Sequence, residues 1–249
     1  MNTERLKTLC NSFGVSSGEQ AAAQILRESC KPLCDELKYD RLGSAFAVKK
    51  SKNPKAATLM IASPLDEVGL MISEVKKDGT LAFIPLENIA LSSLLHQRVR
   101  ILTREDTFID GVIGMDKKAL EDSCEIKSAE DLFITCGLSG DEAKERIHPG
   151  DLAGYAGTFG EQDGTAIAKA LFPRVLNEVT LELLEKLKDT ELDFHLAAGG
   201  VAQSVIGYRG TKTATYVIRP DAAIALTAFD TAKRSVQPGD GPILGYYDR

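Results

Sequence analysis

Two adjacent carboxylates, Asp66 and Glu67, follow the apolar run Thr58-Leu-Met-Ile-Ala62 in the word Ile61-Ala-Ser-Pro-Leu-Asp-Glu-Val-Gly69. Acidic side chains at the end of a buried strand are suited to holding a divalent cation or moving a proton. A hydrolytic metal at such a strand end would also want an imidazole in His-x-Asp spacing. That position is Pro64, which has no donor to offer. The chemistry suggested by the acidic pair is therefore incomplete at its own strand.

The other residues capable of chemistry do not supply the missing donors. The three histidines, His96, His148 and His195, are far apart in sequence, and structural roles are expected for all three. Ser204 sits in Ala202-Gln-Ser-Val-Ile206, without the Gly-x-Ser-x-Gly elbow of a serine nucleophile. Ser73-Glu-Val-Lys76 has Ser-x-x-Lys spacing but falls in a strand pattern. Ala198-Gly-Gly-Val-Ala202 lacks phosphate-loop or dinucleotide spacing, so its glycines are expected in a tight strand-to-helix turn. The five cysteines are Cys10, Cys30, Cys34, Cys124 and Cys136. An odd count without a leader suggests reduced thiols packed as small hydrophobes. Cys30 and Cys34 are one helical turn apart, but no second Cys/His pair completes a zinc spacing.

The elements that must position Asp66 and Glu67 can be read from periodicity. Helical spacing covers 3–13 (Leu6, Leu9, Cys10, Phe13) and 18–31 (Ala21, Ile25 and Leu26 inward), the second ended by Pro32. Strands are expected at 35–39, 45–49 and 57–62. After Gly69 the texture becomes short β segments near 70–75, 80–84, 98–103, 107–113 and 151–159. Ser128 to Asp131 and Ser139 to Glu142 have the spacing of helix capping boxes. From about 165, helices (173–188 and 209–218) alternate with strands (192–198 and a buried 221–227). In the first of these helices Val175, Leu176, Val179, Leu183, Leu184 and Leu187 are expected on one side. The pattern implies a mostly parallel α/β sheet covered by helices on both faces. The expected division is an α/β domain over 1–69 and 160–249 interrupted by a small β-barrel-like domain over 70–159. Ligands of such sheets lie at the carboxyl ends of the strands, where Asp66, Gln203 and Thr227 fall.

The chain has 249 residues, 43% of them hydrophobic, and a net charge of -6. An acidic balance without a Lys/Arg patch argues against nucleic acid. No apolar run approaches the ~20 residues that span a bilayer. Met1-Asn-Thr-Glu-Arg5 leads straight into an amphipathic pattern, so no secretory leader and a cytoplasmic location are expected.

Several words, in order, resemble the glutamyl or deblocking aminopeptidases, dinuclear metallopeptidases often labelled cellulase M or endoglucanase. They are Gly14-Val-Ser-Ser-Gly-Glu19, Asp40-Arg-Leu-Gly-Ser44, Leu65-Asp-Glu-Val-Gly69, Glu130-Asp-Leu-Phe-Ile134, Pro149-Gly-Asp151, Gly207-Tyr-Arg-Gly210 and Arg219-Pro-Asp-Ala-Ala-Ile-Ala225. The resemblance covers nearly the whole chain and implies the zinc-aminopeptidase-like fold. It also implies five protein ligands for two metal ions, and one carboxylate base. In this chain the first His falls on Pro64. The bridging Asp falls on Phe172 or Pro173, just before Arg174. The base and the next ligand fall on Ser204 and Val205, and the following Asp on Thr227. The last His belongs to a segment beyond Arg249.

Only Asp66 and Glu67 remain. By the resemblance, Asp66 would orient a histidine that is no longer there, and two exposed carboxylates would not hold a transition metal tightly. The expectation is a non-catalytic binding or assembly protein with no metal cofactor. The partners expected are further copies of itself or an active paralogue, with a peptide as possible ligand. The alternative is a divergent zinc- or cobalt-dependent peptide hydrolase using Asp66 and Glu67. Those two are then the vestigial site, Ser204 the lost base position, and Pro64, Phe172, Pro173, Val205 and Thr227 the vacated metal positions.

Overall fold

The computed structural model describes residues 1–116, 125–228, 237, 239 and 241–245. Cys124 and Arg249, named above, lie outside them.

Two amphipathic helices, α1 (Thr3–Asn11) and α2 (Gln20–Cys30), open the chain. Asn2 caps α1 by accepting from the Arg5 N–H. Strands β1 (Glu36–Tyr39), β2 (Ala45–Lys49) and β3 (Thr58–Pro64) follow. Later come helix α4 (Leu171–Leu187), strand β12 (His195–Val201), helix α5 (Arg209–Ile218) and strand β13 (Ala222–Ala225). The sheet order is β1-β2-β12-β3-β13. β3 pairs in parallel with both β12 and β13, while β2 is antiparallel to β1 and β12. Four strands thus run one way and only β2 opposes them.

Helices cover both faces. On one, Leu9, Leu26, Leu181 and Leu184 pack against Ile61, Leu196 and Ala198. On the other, Ala214 and Ile218 pack on Phe46, Met60 and Val201. The sheet is therefore mixed α/β and mostly parallel, as the alternation of elements implied.

Between β3 and α4 the chain forms a closed barrel. Its strands are β4 (Gly69–Val75), β5 (Leu81–Pro85), β6 (Arg98–Leu102), β7 (Phe108–Met115), β8 (Leu132–Thr135) and β9 (Leu152–Tyr155), in the order β4-β5-β8-β7-β6-β9. Alternating inward side chains such as Ile72, Leu81, Ile101, Ile113 and Ile134 fill it. Both capping boxes form: Ser128 starts a 3-10 turn, and Ser139 caps α3 (Gly140–Arg146). An antiparallel hairpin, β10 (Gly160–Gln162) and β11 (Thr165–Ile167), links the barrel to α4. Among the described residues no helix is long and apolar enough to cross a membrane.

Four local expectations change. Ala21 is exposed, and α2 buries Ala22, Ala23, Leu26 and Cys30 instead. In α4, Val179 is exposed, while Arg174, Asn177, Glu178 and Thr180 are buried. A polar stripe on that helix faces the sheet end. Gly199 and Gly200 lie inside β12 rather than in a turn. A Cβ on Gly199 would come within 2.0 Å of the Ala45 carbonyl oxygen, so close strand approach requires glycine there. Finally, β13 is exposed and, among the described residues, stands at the sheet edge, paired on one side with β3.

Candidate functional site

The parallel strands β3, β12 and β13 end around one cavity of about 660 Å³. β3 delivers Pro64, and the chain then turns through Leu65, whose N–H donates to the Val201 carbonyl at 2.9 Å. β12 delivers Val201 and the turn that carries Ser204 and Val205. β13 leads into Leu226 and Thr227. The first turn of α4 brings Leu171, Phe172 and Pro173, and the barrel side adds Glu87 and Tyr155.

Residues from four separate stretches of sequence thus meet. Pro64, Asp66, Glu67, Phe172, Pro173, Ser204, Val205 and Thr227 all line this cavity. The histidines do not. His195 pairs with Thr58 at the opposite end of the strands, and its Nδ1 accepts the Ser51 N–H at 3.0 Å.

The walls are mostly apolar, and the polar groups face protein. Asp66 is 1% exposed and Glu67 3%, so the expectation of exposed carboxylates is corrected. Asp66 is also not idle. Its Oδ1 accepts the Ser204 N–H at 2.9 Å, and its Oδ2 accepts the Val205 N–H at 2.9 Å and the Ser16 hydroxyl at 2.5 Å. It therefore clamps the turn after β12 onto the end of β3. Both oxygens of Glu67 take the Lys169 ammonium at 2.8 Å, and the Glu67 N–H donates to the Gly14 carbonyl. Ser204 Oγ donates to the Val201 carbonyl at 3.1 Å.

Behind the cavity wall lies a buried charge cluster. Arg174 is fully buried, donates to the Leu65 carbonyl at 2.5 Å and lies 3.7 Å from Glu67. A Cβ on Gly14 would fall 2.3 Å from the Arg174 Nη2, so glycine makes room for the guanidinium. Burial pushes the Lys169 ammonium and the Arg174 guanidinium down, and Glu67 opposes both shifts. Burial pushes the Glu19 carboxyl up, although it accepts the Gln203 N–H at 2.9 Å. Burial, with a smaller push from the Asp66 charge, also raises the Glu87 carboxyl. Asn177 Nδ2 donates to Ser63 Oγ and to the Pro64 carbonyl, which ties α4 to the end of β3.

Sequence reasoning missed Lys169, Ser16 and Asn177 as parts of this assembly. Arg174, Asn177, Leu181 and Leu184 share one buried helical stripe, and polar residues on such a stripe are the signal that was available. Lys169 had no comparable signal, because its partner is 102 residues away.

Among the described residues, the donors that line the cavity are not arranged as a transition-metal site. Zinc or cobalt takes three or four convergent imidazole, thiolate or carboxylate ligands. Among the described residues no group of three or more His, Cys, Asp and Glu side chains converges in that way. Of the three carboxylates that line the cavity, Asp66 already accepts from N–H and O–H donors and Glu67 from an ammonium, which leaves Glu87 on the barrel side.

Comparison with known proteins places these observations among relatives. Residues 43–249 match the M42 glutamyl aminopeptidase family. The chain is 30% identical to the glutamyl aminopeptidase of Lactococcus lactis subsp. cremoris (strain MG1363), over 98% of its own length and 72% of that protein's. It is similar to the solved TET aminopeptidase of the marine sediment archaeon Thaumarchaeota archaeon SCGC AB-539-E09, with TM-score 0.84 and 30% identity. That match covers 93% of this chain and 68% of the archaeal one. The fold also matches the Pyrococcus horikoshii TET1 peptidase, which can assemble into a tetrahedron or a large octahedral shell. There the TM-score is 0.84 at 24% identity, over 96% of this chain and 73% of that one.

Proposed function

Because the chain belongs to the M42 glutamyl aminopeptidase family, we propose that it keeps the aminopeptidase fold without the dinuclear metal site and acts as a binding or assembly protein. One observation carries this reading. The positions where the resemblance puts metal ligands and base, Pro64, Phe172 or Pro173, Ser204, Val205 and Thr227, line a single cavity, and none carries a carboxylate or imidazole. Independent drift at scattered sites would not gather on one surface.

The spent carboxylates support the same reading. For Asp66 to bind a cation, two backbone N–H groups and a serine hydroxyl would have to give up their acceptor. For Glu67 to do so, the Lys169 ammonium would be left buried without its counter-charge, a costly state. The walls formed by Phe172, Pro173 and Val205 would compensate a cation poorly. The alternative of a divergent hydrolase on Asp66 and Glu67 asks both residues to leave these partners. By kinship with an assembling peptidase we also propose self-association, or co-assembly with an active relative.

The test is metal analysis of the purified chain after exposure to zinc, cobalt and manganese, beside release assays on aminoacyl-anilides. The expected result is well under one ion per chain and no metal-dependent rate above an Asp66→Ala control. Two retained ions per chain with metal-dependent aminopeptidase activity would overturn the proposal.

A further inference from the structure

We infer that two copies of the chain pair about a twofold axis, with the acidic β10–β11 hairpin of each seated on the basic, tyrosine-bearing outer face of the other's α5. The inference rests on the self-association proposed above and names its contact. Charge is unevenly spread over the two segments. No Lys or Arg lies between Arg146 and Lys169, and no Asp or Glu between Asp193 and Asp221. The first stretch holds the hairpin and the second holds α5.

The hairpin is an arm of set shape. β10 and β11 form a two-stranded sheet of their own, apart from the barrel and the main sheet. Asp163 and Gly164 join them with φ of 51° and 76°, the positive pair that a two-residue hairpin turn requires. Glu161 and Asp163 are exposed, and so is Ile167 at 67%. A two-stranded hairpin alone is marginal in water, so a surface that covers Ile167 stabilises it.

The outer face of α5 is its complement. Gly210, Ala214 and Ile218 face the sheet. Tyr208, Lys212, Tyr216 and Arg219 follow one another at helical spacing along one exposed ridge. Tyr208 is 68% exposed and Tyr216 75%, and the Arg219 guanidinium lies 5.8 Å from the Tyr216 ring. Arg209 adds a third exposed cation. Among the described residues, Arg209, Lys212 and Arg219 pair with no carboxylate of their own chain, and Glu161 and Asp163 pair with no cation. In a chain of net charge -6, cations gathered on one ridge and left without counter-charges are complementary to an acidic surface. The tyrosines add apolar area for Ile167 and hydroxyls that donate to carboxylates.

Both surfaces border the cavity. Three residues past β11 the chain reaches Ala170, and Tyr208 immediately precedes α5; both line the cavity. Two complementary surfaces beside one opening suit a twofold axis, because each hairpin then meets the partner's α5 while its own α5 receives the partner's hairpin.

The experiment is sedimentation velocity on the full chain across the micromolar range. The wild-type chain is expected as a two-chain species that weakens as salt is raised. Glu161→Lys with Asp163→Lys, and separately Lys212→Glu with Arg219→Glu, set like charges against each other and should weaken pairing at least about tenfold. An equimolar mixture of the two double variants restores opposite charges at both contacts and should return to two chains per particle. Lys55→Glu, in the loop before β3, should leave pairing unchanged. Thermal unfolding checks that each variant is folded; if a double variant fails to fold, Glu161→Lys and Lys212→Glu report the same loss and recovery. A wild-type chain that stays single overturns self-association and this contact with it. A wild-type pair that the double variants leave intact, or a mixture that does not recover, overturns the contact alone. Binding of an added poly-glutamate that Lys212→Glu with Arg219→Glu abolishes, while the pair stays intact, would assign α5 to another acidic partner and also overturn the contact.

Discussion

Asp66 is the residue on which the site turns, because its three hydrogen bonds tie together three separate stretches of the chain. It supplies the acceptor for two successive backbone N–H groups, Ser204 and Val205, and for the Ser16 hydroxyl. Buried donors that lose their acceptor cost about 1–3 kcal/mol each. Asp66→Ala is therefore expected to destabilise the fold by about 3 kcal/mol in urea unfolding. A loss under about 0.5 kcal/mol would mean the turn is held by other contacts. That Pro64 carries no metal-binding side chain is legible from residue type alone. The fate of Asp66 is not, because its partners lie 50, 138 and 139 residues away in sequence.

At the scale of elements, β12 shows how a central strand constrains its residues. It is flanked by β2 and β3, and Gly199 sits where a Cβ would meet the Ala45 carbonyl at 2.0 Å and the Phe46 Cα at 2.7 Å. Gly199→Ala is expected to destabilise by more than about 2 kcal/mol, or to prevent soluble folding. Gly160→Ala, where the nearest atom is 3.8 Å from the added Cβ, is expected to stay within about 0.5 kcal/mol. Comparative thermal or urea unfolding of the two variants checks this; equal effects would mean that the strands part easily. From sequence, the two glycines look alike. Strand order separates them, because it puts a neighbouring backbone against one and open space beside the other. Helix α4 teaches the same lesson. Its length was readable, but a face carrying Arg174, Asn177 and Thr180 became a buried face only once the end of β3 and Leu65 just after it were seen to offer polar groups.

For the molecule as a whole, the mostly parallel sheet and the closed barrel meet around Val15, Gly69 and Gly154. There a Cβ on either glycine would strike the Val15 side chain. Glycine at both positions lets the barrel and the sheet approach closely. If the barrel also serves assembly, light scattering of the purified chain should report a species heavier than one chain. A monodisperse monomer across the micromolar range would reject self-association and leave only a relative as assembly partner.

Short words such as Leu65-Asp-Glu-Val-Gly69 carried the resemblance to the family, while the order of apolar runs, turn signals and capping residues was enough for the α/β class and the inserted β module. These depend on local periodicity, which each segment carries in its own side chains. Residue types alone also listed what Pro64, Phe172, Val205 and Thr227 lack. Whether those positions share a surface was a tertiary question. The answer depends on β12 and β13 inserting in parallel beside β3, pairings between segments more than 130 residues apart. The same closure buried Asp66 and Glu67 and gave them partners. An acidic pair that reads as a metal site in sequence is thereby, in the folded chain, part of its internal framework.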